Sequence, residues 1–250
     1  MRALWLAALA MLLPASARAD LYVRSPIVEF HEIELEHNGF IGIDRKGSQF
    51  NTTQSYTTSI GYGVTPWWKL ELEAETGTLP FANFAYQATT LENTFQLTPE
   101  GQYIANLGLF AEYSRSALPR LPSAVTLGPI IQTELNDFAG TDSLHTLNLF
   151  VSRDVGHNHS SDTGLIYAAQ SKLRLTALFN PGIEAFGSVG NVTQAGRYGD
   201  QQHSVGPVVT GLYSLAPYGK LRYEIGYQFG LTSRTARGGM RWKFEYEIPF

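Results

Sequence analysis

The last residues of the chain, MRWKFEYEIPF at positions 240–250, alternate between bulky apolar side chains and charged or polar ones. Successive side chains of a β-strand point to opposite faces of the sheet. This period of two therefore predicts a strand with one apolar face and one charged face. Residues 219–231 show the same alternation, so the chain is expected to end in two long amphipathic strands.

The composition excludes several classes of protein. The chain has 250 residues, no cysteine and a formal net charge of -4. Disulfides, thiolate metal sites and cysteine nucleophiles are therefore excluded, and the absence of a basic tract gives no sign of a nucleic-acid partner. After residue 20 no segment approaches eighteen consecutive apolar residues, so no transmembrane helix is predicted. Composition alone does not separate a soluble all-β protein from a membrane β-barrel.

The first residues have the pattern of an export signal. Arg2 is followed by an apolar run at residues 4–13, and the small-x-small pattern at residues 17–19 precedes Asp20. The apolar run is too short to cross a bilayer as a helix. We therefore expect residues 1–19 to be a cleaved signal peptide and residues 20–250 to form one exported domain.

The length of the alternating segments favours a membrane barrel over a soluble sandwich. Soluble strands average five or six residues, whereas a tilted strand needs about ten to cross a bilayer. Aromatic residues such as Tyr103 and Tyr113 also fall near the ends of one segment, as in interfacial girdles. Twelve segments are predicted, an even number as in bacterial single-chain barrels. They are residues 27–43, 53–64, 67–77, 91–98, 102–114, 123–135, 144–154, 163–176, 179–190, 204–215, 219–231 and 238–250.

The connections predict the orientation of this all-β, antiparallel, up-and-down transmembrane barrel. Outer-membrane barrels have short periplasmic turns and longer outer loops. If both termini are periplasmic, the short turns should be residues 64–67, 98–101, 136–142, 178–181 and 216–219. The longer loops should then be residues 44–51, 77–90, 115–122, 154–162, 191–203 and 233–237.

The C-terminus carries a resemblance to a known class of proteins. Trp242, Phe244, Tyr246 and Phe250 resemble the C-terminal signal that the barrel-assembly machinery recognises in outer-membrane barrels. Together with the export signal and the series of hairpins, they make the chain look like the small proteobacterial outer-membrane barrels described as transporters or porin-like proteins. The resemblance implies a Gram-negative outer membrane, with its lipid and the assembly machinery as partners. It is architectural and assigns no functional residues.

The alternation also predicts which charged side chains line the lumen. These are Glu32, Glu34, Glu36, Glu71, Glu73, Glu75, Glu112, Lys172, Arg174, Arg222, Glu224, Arg241, Lys243 and Glu245. Acids outnumber bases on this face, which favours a narrow channel or transporter for a small solute or cation. The alternative is a closed interior filled by ion pairs, for example between Arg241 or Lys243 and Glu32 or Glu34. Such a barrel would not conduct, and its outer loops would serve binding or structural roles.

An enzyme that modifies outer-membrane lipid is a less favoured hypothesis. Asp-x-His does not occur in the sequence, and the His-x-Ser match at residues 159–161 falls in a predicted loop and not on a predicted strand. The nucleophile–base spacings of the known outer-membrane hydrolases are therefore missing from the predicted strands. No cofactor is expected. His157 and His159 are a weak candidate pair for a metal ion, and an ordinary polar loop is the simpler interpretation.

Overall fold

The chain forms twelve antiparallel strands in a computed structural model, which describes residues 21–78, 83–119, 121–138, 140–156 and 162–249. Within these ranges a 3-10 turn at Tyr198–Asp200 is the only helical element, and no helix is long and apolar enough to cross a membrane. The strands are β1 (Glu32–Ile43), β2 (Gln54–Thr65), β3 (Trp68–Thr78), β4 (Phe84–Gln96), β5 (Asn106–Ser116), β6 (Ser123–Phe138), β7 (Thr141–Val155), β8 (Thr163–Arg174), β9 (Asn180–Val189), β10 (Gln202–Ser214), β11 (Lys220–Gly230) and β12 (Gly238–Pro249).

Each strand pairs with its neighbours in sequence, and β12 closes the sheet against β1. The closing register runs from Glu32 opposite Pro249 to Ile43 opposite Gly238. Closure leaves no strand edge whose backbone N–H and C=O groups could pair with another chain and cause aggregation. The prediction of a single antiparallel barrel with twelve strands is confirmed.

The two ends of the barrel differ in their connections. We call the end at Glu32 and Pro249 the base, and the opposite end the top. The connections at the base are residues 66–67, 97–105, 139–140, 175–179 and 215–219, and those at the top are residues 44–53, 79–83, 117–122, 156–162, 190–201 and 231–237. The top connections are mostly the longer ones. A periplasmic location of the base stays a prediction.

The predicted position of the fourth strand is wrong. β4 begins at Phe84, whereas residues 77–90 were expected to be a long loop. The pairing of β3 with β4 skips Gln87, which forms a β-bulge. A bulge adds one residue and reverses which side chains point inward. Tyr86 therefore faces outward, whereas Ala88 faces inward. Because the alternation changes phase at this point, a strict period of two does not indicate the first half of the strand.

A second error concerns the other side of that hairpin. The turn expected at residues 98–101 is part of a longer connection, residues 97–105, and β5 begins at Asn106. Tyr103 accordingly lies in this connection and not on a strand with Tyr113. Another irregularity, between Leu135 and Phe138, lengthens β6 beyond its predicted end. Bulges therefore account for the boundary errors at β4 and β6.

The first strand is shorter than the sequence predicts. β1 begins at Glu32, and residues 27–31 are not part of the sheet. His31 has a positive φ of 62°, a backbone conformation that breaks the extended run. The His31 N–H donates to the carbonyl of Gly63 at 3.3 Å, which anchors this bend on β2. The chain before His31 turns into the barrel.

The two faces of the barrel have opposite chemistry. A row of outward residues at mid-height, Leu35, Ile60, Leu72 and Leu91, crosses four neighbouring strands in register, and all four side chains are exposed. The inward row beside it contains Glu34, Glu71, Glu92 and Glu112. This is the reverse of a soluble protein, in which the apolar face is buried.

Candidate functional site

The lumen contains the N-terminal part of the described chain. We call residues 21–30 the inner segment. Its deepest part is fixed by Asn148 of β7, a fully buried side chain. The Arg24 N–H donates to Asn148 Oδ1 at 2.7 Å, and Asn148 Nδ2 donates to the Arg24 carbonyl at 2.9 Å. Nearer the base, the Val28 N–H donates to Gln96 Oε1 at 2.9 Å. Side chains of the wall therefore replace the ladder bonds that the segment lacks.

Two inward glycines make room for the inner segment. A Cβ at Gly63 would lie 2.0 Å from the carbonyl oxygen of Glu29, and one at Gly108 would lie 2.8 Å from Cβ of Pro26. Both distances are shorter than real Cβ contacts allow. Gly61, two residues before Gly63 and on the same face, would keep ordinary contacts of 3.6 Å or more. Gly63 and Gly108 therefore mark the path of the segment along the wall.

Arg24 places a cation at the middle of the lumen. Its Nε donates to Glu92 Oε2 at 3.2 Å, and its Nη2 makes a close ion pair with the other oxygen of the same carboxylate. Nη2 also lies 3.8 Å from Glu112 Oε2 and donates to the Tyr22 hydroxyl at 2.6 Å. That hydroxyl in turn lies 3.1 Å from Glu73 Oε1. The guanidinium group thus joins the inner segment to carboxylates of β3, β4 and β5.

Aromatic rings support the same guanidinium group. The Arg24 Cζ atom lies 4.3 Å from the centroid of Phe110 and 4.2 Å from that of Tyr22. Phe110 stacks on Phe150 with centroids 4.6 Å apart, and both pack with Ile130 and Ile166 inside the lumen. Val23 packs against Ala168 and Phe186 on the neighbouring wall. Here the lumen is occupied by the inner segment and these apolar side chains.

Lysines bridge carboxylates on the wall formed by β12, β1 and β3. Lys243 Nζ lies 2.5 Å from Glu36 Oε2 and 2.9 Å from Glu245 Oε2. Lys69 Nζ lies 2.7 Å from Glu34 Oε2 and 3.2 Å from Glu71 Oε2. Lys243 therefore neutralises two acids that lie directly opposite each other on β1 and β12. Lys69 neutralises two acids that lie on either side of Gly61 of β2.

Arg241 forms the most deeply buried ionic cluster. Its side chain is 1% exposed and pairs with Glu184, to which Nε donates at 2.5 Å, and with Glu224 at 2.8 Å. Gln170 donates to Glu184 at 2.8 Å. The sequence correctly suggests pairing across strands, but the expected partners are wrong. Arg241 reaches β9 and β11 and Lys243 reaches Glu36, because their side chains extend across the lumen or along the wall.

The remaining predicted lumen residues lie at the base or near the top. At the base, Arg222 pairs closely with Glu247, Lys220 lies 3.4 Å from Glu32, and Arg174 pairs with Glu134 at 2.5 Å. Lys172 also faces this region, and no described residue forms an ion pair with it. Toward the top, the Glu75 carboxylate accepts a hydrogen bond from Ser114 at 3.3 Å.

Between the inner segment and the base lies a cavity of about 310 Å³. Its walls carry both signs of charge, with more acids than bases. The segment contributes Tyr22, Arg24, Ser25 and Glu29 to its surface. Glu92, the partner of Arg24, also borders the cavity. The Arg24 site is therefore at the inner limit of a charged space that extends toward the base.

The sequence did not reveal the inner segment itself. Residues 21–31 contain no long apolar run. Val28 to His31 also alternate between apolar and polar residues, with the phase opposite to that of β1, so the segment reads as more strand. Inward glycines on two strands are the signal that could have indicated a neighbour inside the barrel, because a wall that faces open water has no need of them. Glu92 and Asn148 gain their importance only through this segment.

The other sequence candidates are placed as follows. Trp242, Phe244 and Tyr246 lie on β12 and face outward, and the Tyr246 hydroxyl donates to the Tyr218 carbonyl at 2.7 Å. Phe250, His157 and His159 lie outside the described residues. Within the described ranges, no group of His, Asp and Glu has the arrangement to hold a metal ion.

A serine and a histidine also lie two residues apart on β7, in an order that does not match His-x-Ser. Ser143 and His145 have the reverse order on β7, so they share a face. His145 Nε2 lies 2.9 Å from Ser143 Oγ, and its Nδ1 lies 2.9 Å from Ser171 Oγ. Ser143 is 0% exposed and also lies 3.4 Å from the Leu135 carbonyl. A hydroxyl so enclosed offers no approach for a substrate.

The fold and the lumen define a closed twelve-stranded barrel with an apolar outer face, a charged inner face and an internal N-terminal segment. No protein-family model and no curated protein matches the chain. Among solved structures, the chain is similar to the NanC porin, with 12% identity and a TM-score of 0.52 over 86% of this chain and 100% of that one. This likeness establishes a shared barrel fold.

Two further barrels are similar at a lower level. The translocator domain of the autotransporter NalP from Neisseria meningitidis has 11% identity and a TM-score of 0.47, over 88% of each chain. The outer membrane protein Omp33 of Acinetobacter baumannii has 11% identity and a TM-score of 0.46, over 88% of this chain and 98% of that one.

Proposed function

We propose that the protein is an integral barrel of a Gram-negative outer membrane and that its lumen is a narrow path for a small cationic solute. The outward belt of aliphatic side chains supports the membrane location, because lipid is the solvent that such a surface requires. The shared fold with a porin and the C-terminal aromatic pattern agree with it. Signal cleavage near Asp20 and a periplasmic base belong to the same proposal.

A charge placed at mid-height on the outer face tests the membrane location. Leu72 is 51% exposed at the centre of β3, whereas Leu97 is 60% exposed just beyond the base end of β4. In lipid, Leu72→Arg should lower the free energy of unfolding by about 2–4 kcal/mol and Leu97→Arg by about 0–1 kcal/mol. Urea unfolding in phospholipid vesicles measures both. Equal and small losses would contradict the embedding of β3.

The charged cavity is the observation that carries the proposal of transport. A barrel with only a structural role would be best filled by close packing, but this lumen keeps about 310 Å³ of space bordered by acids and bases. The surplus of carboxylates favours cations in that space. Above the cavity, the inner segment closes the path, and conduction requires that it move.

Removal of the inner segment is therefore expected to open the barrel. In a variant that joins Asp20 to Phe30, the wall keeps its strands while the segment that fills the lumen is lost. In planar bilayers, the conductance of this variant should exceed that of the full chain by at least about tenfold, with a preference for cations over anions.

Correct folding of the deletion variant is checked by its β-rich circular dichroism and its heat-dependent migration in SDS gels. A variant that folds but stays silent, or that prefers anions, would contradict the proposed path. Full-length protein that already conducts as strongly as the variant would show that the inner segment does not close the lumen.

A non-conducting barrel is the second candidate function. The observation in its favour is the tight packing of Phe110, Ile130, Phe150 and Ile166 within the lumen, which adds to the obstruction by the inner segment. In that case the top connections would carry the binding or structural role. The deletion experiment separates the two functions, because a barrel closed by its own wall stays closed without the segment.

A further inference from the structure

The strand register creates a need for a cation at the middle of the lumen. In the strand register Glu71 lies opposite Glu92, and Glu92 lies opposite Glu112. Three carboxylates therefore lie side by side on three adjacent strands. Like charges directly opposite each other destabilise a sheet, and burial strengthens the repulsion. Lys69 compensates the charge of the first carboxylate, because its Nζ atom lies 3.2 Å from Glu71 Oε2. Arg24 of the inner segment compensates the charges of the other two, Glu92 and Glu112.

We propose that this position is a binding site for a solute that carries a guanidinium group, and that Arg24 occupies it in place of the solute. The inference rests on the proposed function, since it names the cation that the lumen accepts. The site consists of Glu92, Glu112 and Glu73 with the rings of Phe110 and Phe150. Arg24 enters the site from the inner segment and not from a strand of the wall.

The geometry distinguishes a guanidinium group from other cations. Arg24 Nε and Nη2 donate to the two different carboxylate oxygens of Glu92. This is the bidentate arrangement that a planar guanidinium group makes with a carboxylate. The face of the same group lies over Phe110, 4.3 Å from the ring centroid. An ammonium group is a compact, strongly hydrated point charge and cannot make both contacts at once. A primary amine is therefore expected to bind less tightly.

A solute can reach the site from the base when the inner segment leaves. Arg24 and Glu92 both border the cavity of about 310 Å³ that extends toward the base. A space of this size accommodates a small organic cation. Departure of the segment would vacate the guanidinium position and widen the approach to it in one movement.

Block of the open barrel provides the main test. Ethylguanidinium chloride is added to the variant that joins Asp20 to Phe30, and ethylammonium chloride serves as the matched cation. Half-block by ethylguanidinium should need a concentration at least about tenfold lower than half-block by ethylammonium. Glu92→Gln in the same background should raise the ethylguanidinium concentration at least about tenfold. Equal potency of the two cations, or no effect of Glu92→Gln, would overturn the proposal.

A binding measurement that requires no conduction keeps the proposal separate from the proposed function. In the full chain, Arg24→Ala vacates the site while the rest of the segment remains. The melting temperature of this variant in detergent should rise with millimolar ethylguanidinium and not with ethylammonium, because a ligand that binds the folded state raises its stability. A selective rise together with a silent deletion variant would retain the site and reject transport. No selective rise, in a variant that otherwise folds, would reject the site.

Discussion

Arg241→Met is expected to cause the largest loss of stability of any single substitution on the inner wall. It removes the cation between Glu184 and Glu224 but leaves both carboxylates in place. Breaking a buried pair by removal of one partner costs about 3–5 kcal/mol, because an uncompensated charge remains. The free energy of unfolding, measured with urea in lipid vesicles, should fall by about this amount.

The matched control for that prediction is Arg174→Met. Arg174 also pairs with a glutamate, but its side chain is 46% exposed and that of Glu134 is 40% exposed. Exposed pairs contribute about 0–1 kcal/mol, so this substitution should be nearly neutral. Adding Glu184→Gln to Arg241→Met should recover part of the lost stability. If Arg241→Met and Arg174→Met were equally mild, the Arg241 cluster would be hydrated and not an internal ion pair.

Gly63→Ala is expected to have the largest effect on conduction among variants that alter no charge. The new Cβ would lie 2.0 Å from the Glu29 carbonyl oxygen and 3.1 Å from the Phe30 Cα atom. Both are backbone atoms of the inner segment, so the segment must move away from the wall at the point where it enters the lumen. If the segment closes the path, conductance in planar bilayers should rise at least about tenfold above that of the natural sequence.

Gly61→Ala is the control for this effect. Gly61 lies on the same face of β2, but its added Cβ would approach side-chain atoms of Glu34 and Glu71 at 3.6–3.7 Å. These are ordinary contacts, so conductance should not change. Gly61→Ala and Gly63→Ala with equal conductance would show that displacement of residues 29 and 30 does not release the inner segment from the lumen. The comparison requires no deletion and changes neither Arg24 nor its carboxylate partners in the sequence.

The inner segment changes how the surplus of acids is interpreted. The sequence shows more acids than bases on the inner face and predicts an acid-lined space. In the structure, Lys69, Lys243 and Arg241 each hold two carboxylates, and Arg24 adds a cation that the strand pattern did not include. The charge of the lumen wall is therefore balanced in part by the segment. In the proposed function, departure of the segment would leave these carboxylates without Arg24 and so would couple the opening of the path to its preference for cations.

Local alternation was sufficient to predict strand number because a barrel imposes a period of two on every strand. The pattern at residues 219–231 and 240–250 is found again in β11 and β12, with the charged side chains inward. The prediction weakened where a bulge changed the period. Gln87 is one extra residue, and it hid the first half of β4.

The C-terminal alternation by itself determined that the chain folds into amphipathic strands, and its repetition determined twelve of them. Only the tertiary structure decided which charges meet and what fills the lumen. Arg241 contacts Glu184 across 57 positions of the sequence. Lys69 contacts Glu34 across 35 positions, and Arg24 contacts Glu92 across 68. Alternation is a property of neighbouring residues along one strand. These contacts depend on closure of the barrel and on a segment that leaves the sheet at His31, and neither has a local period in the sequence.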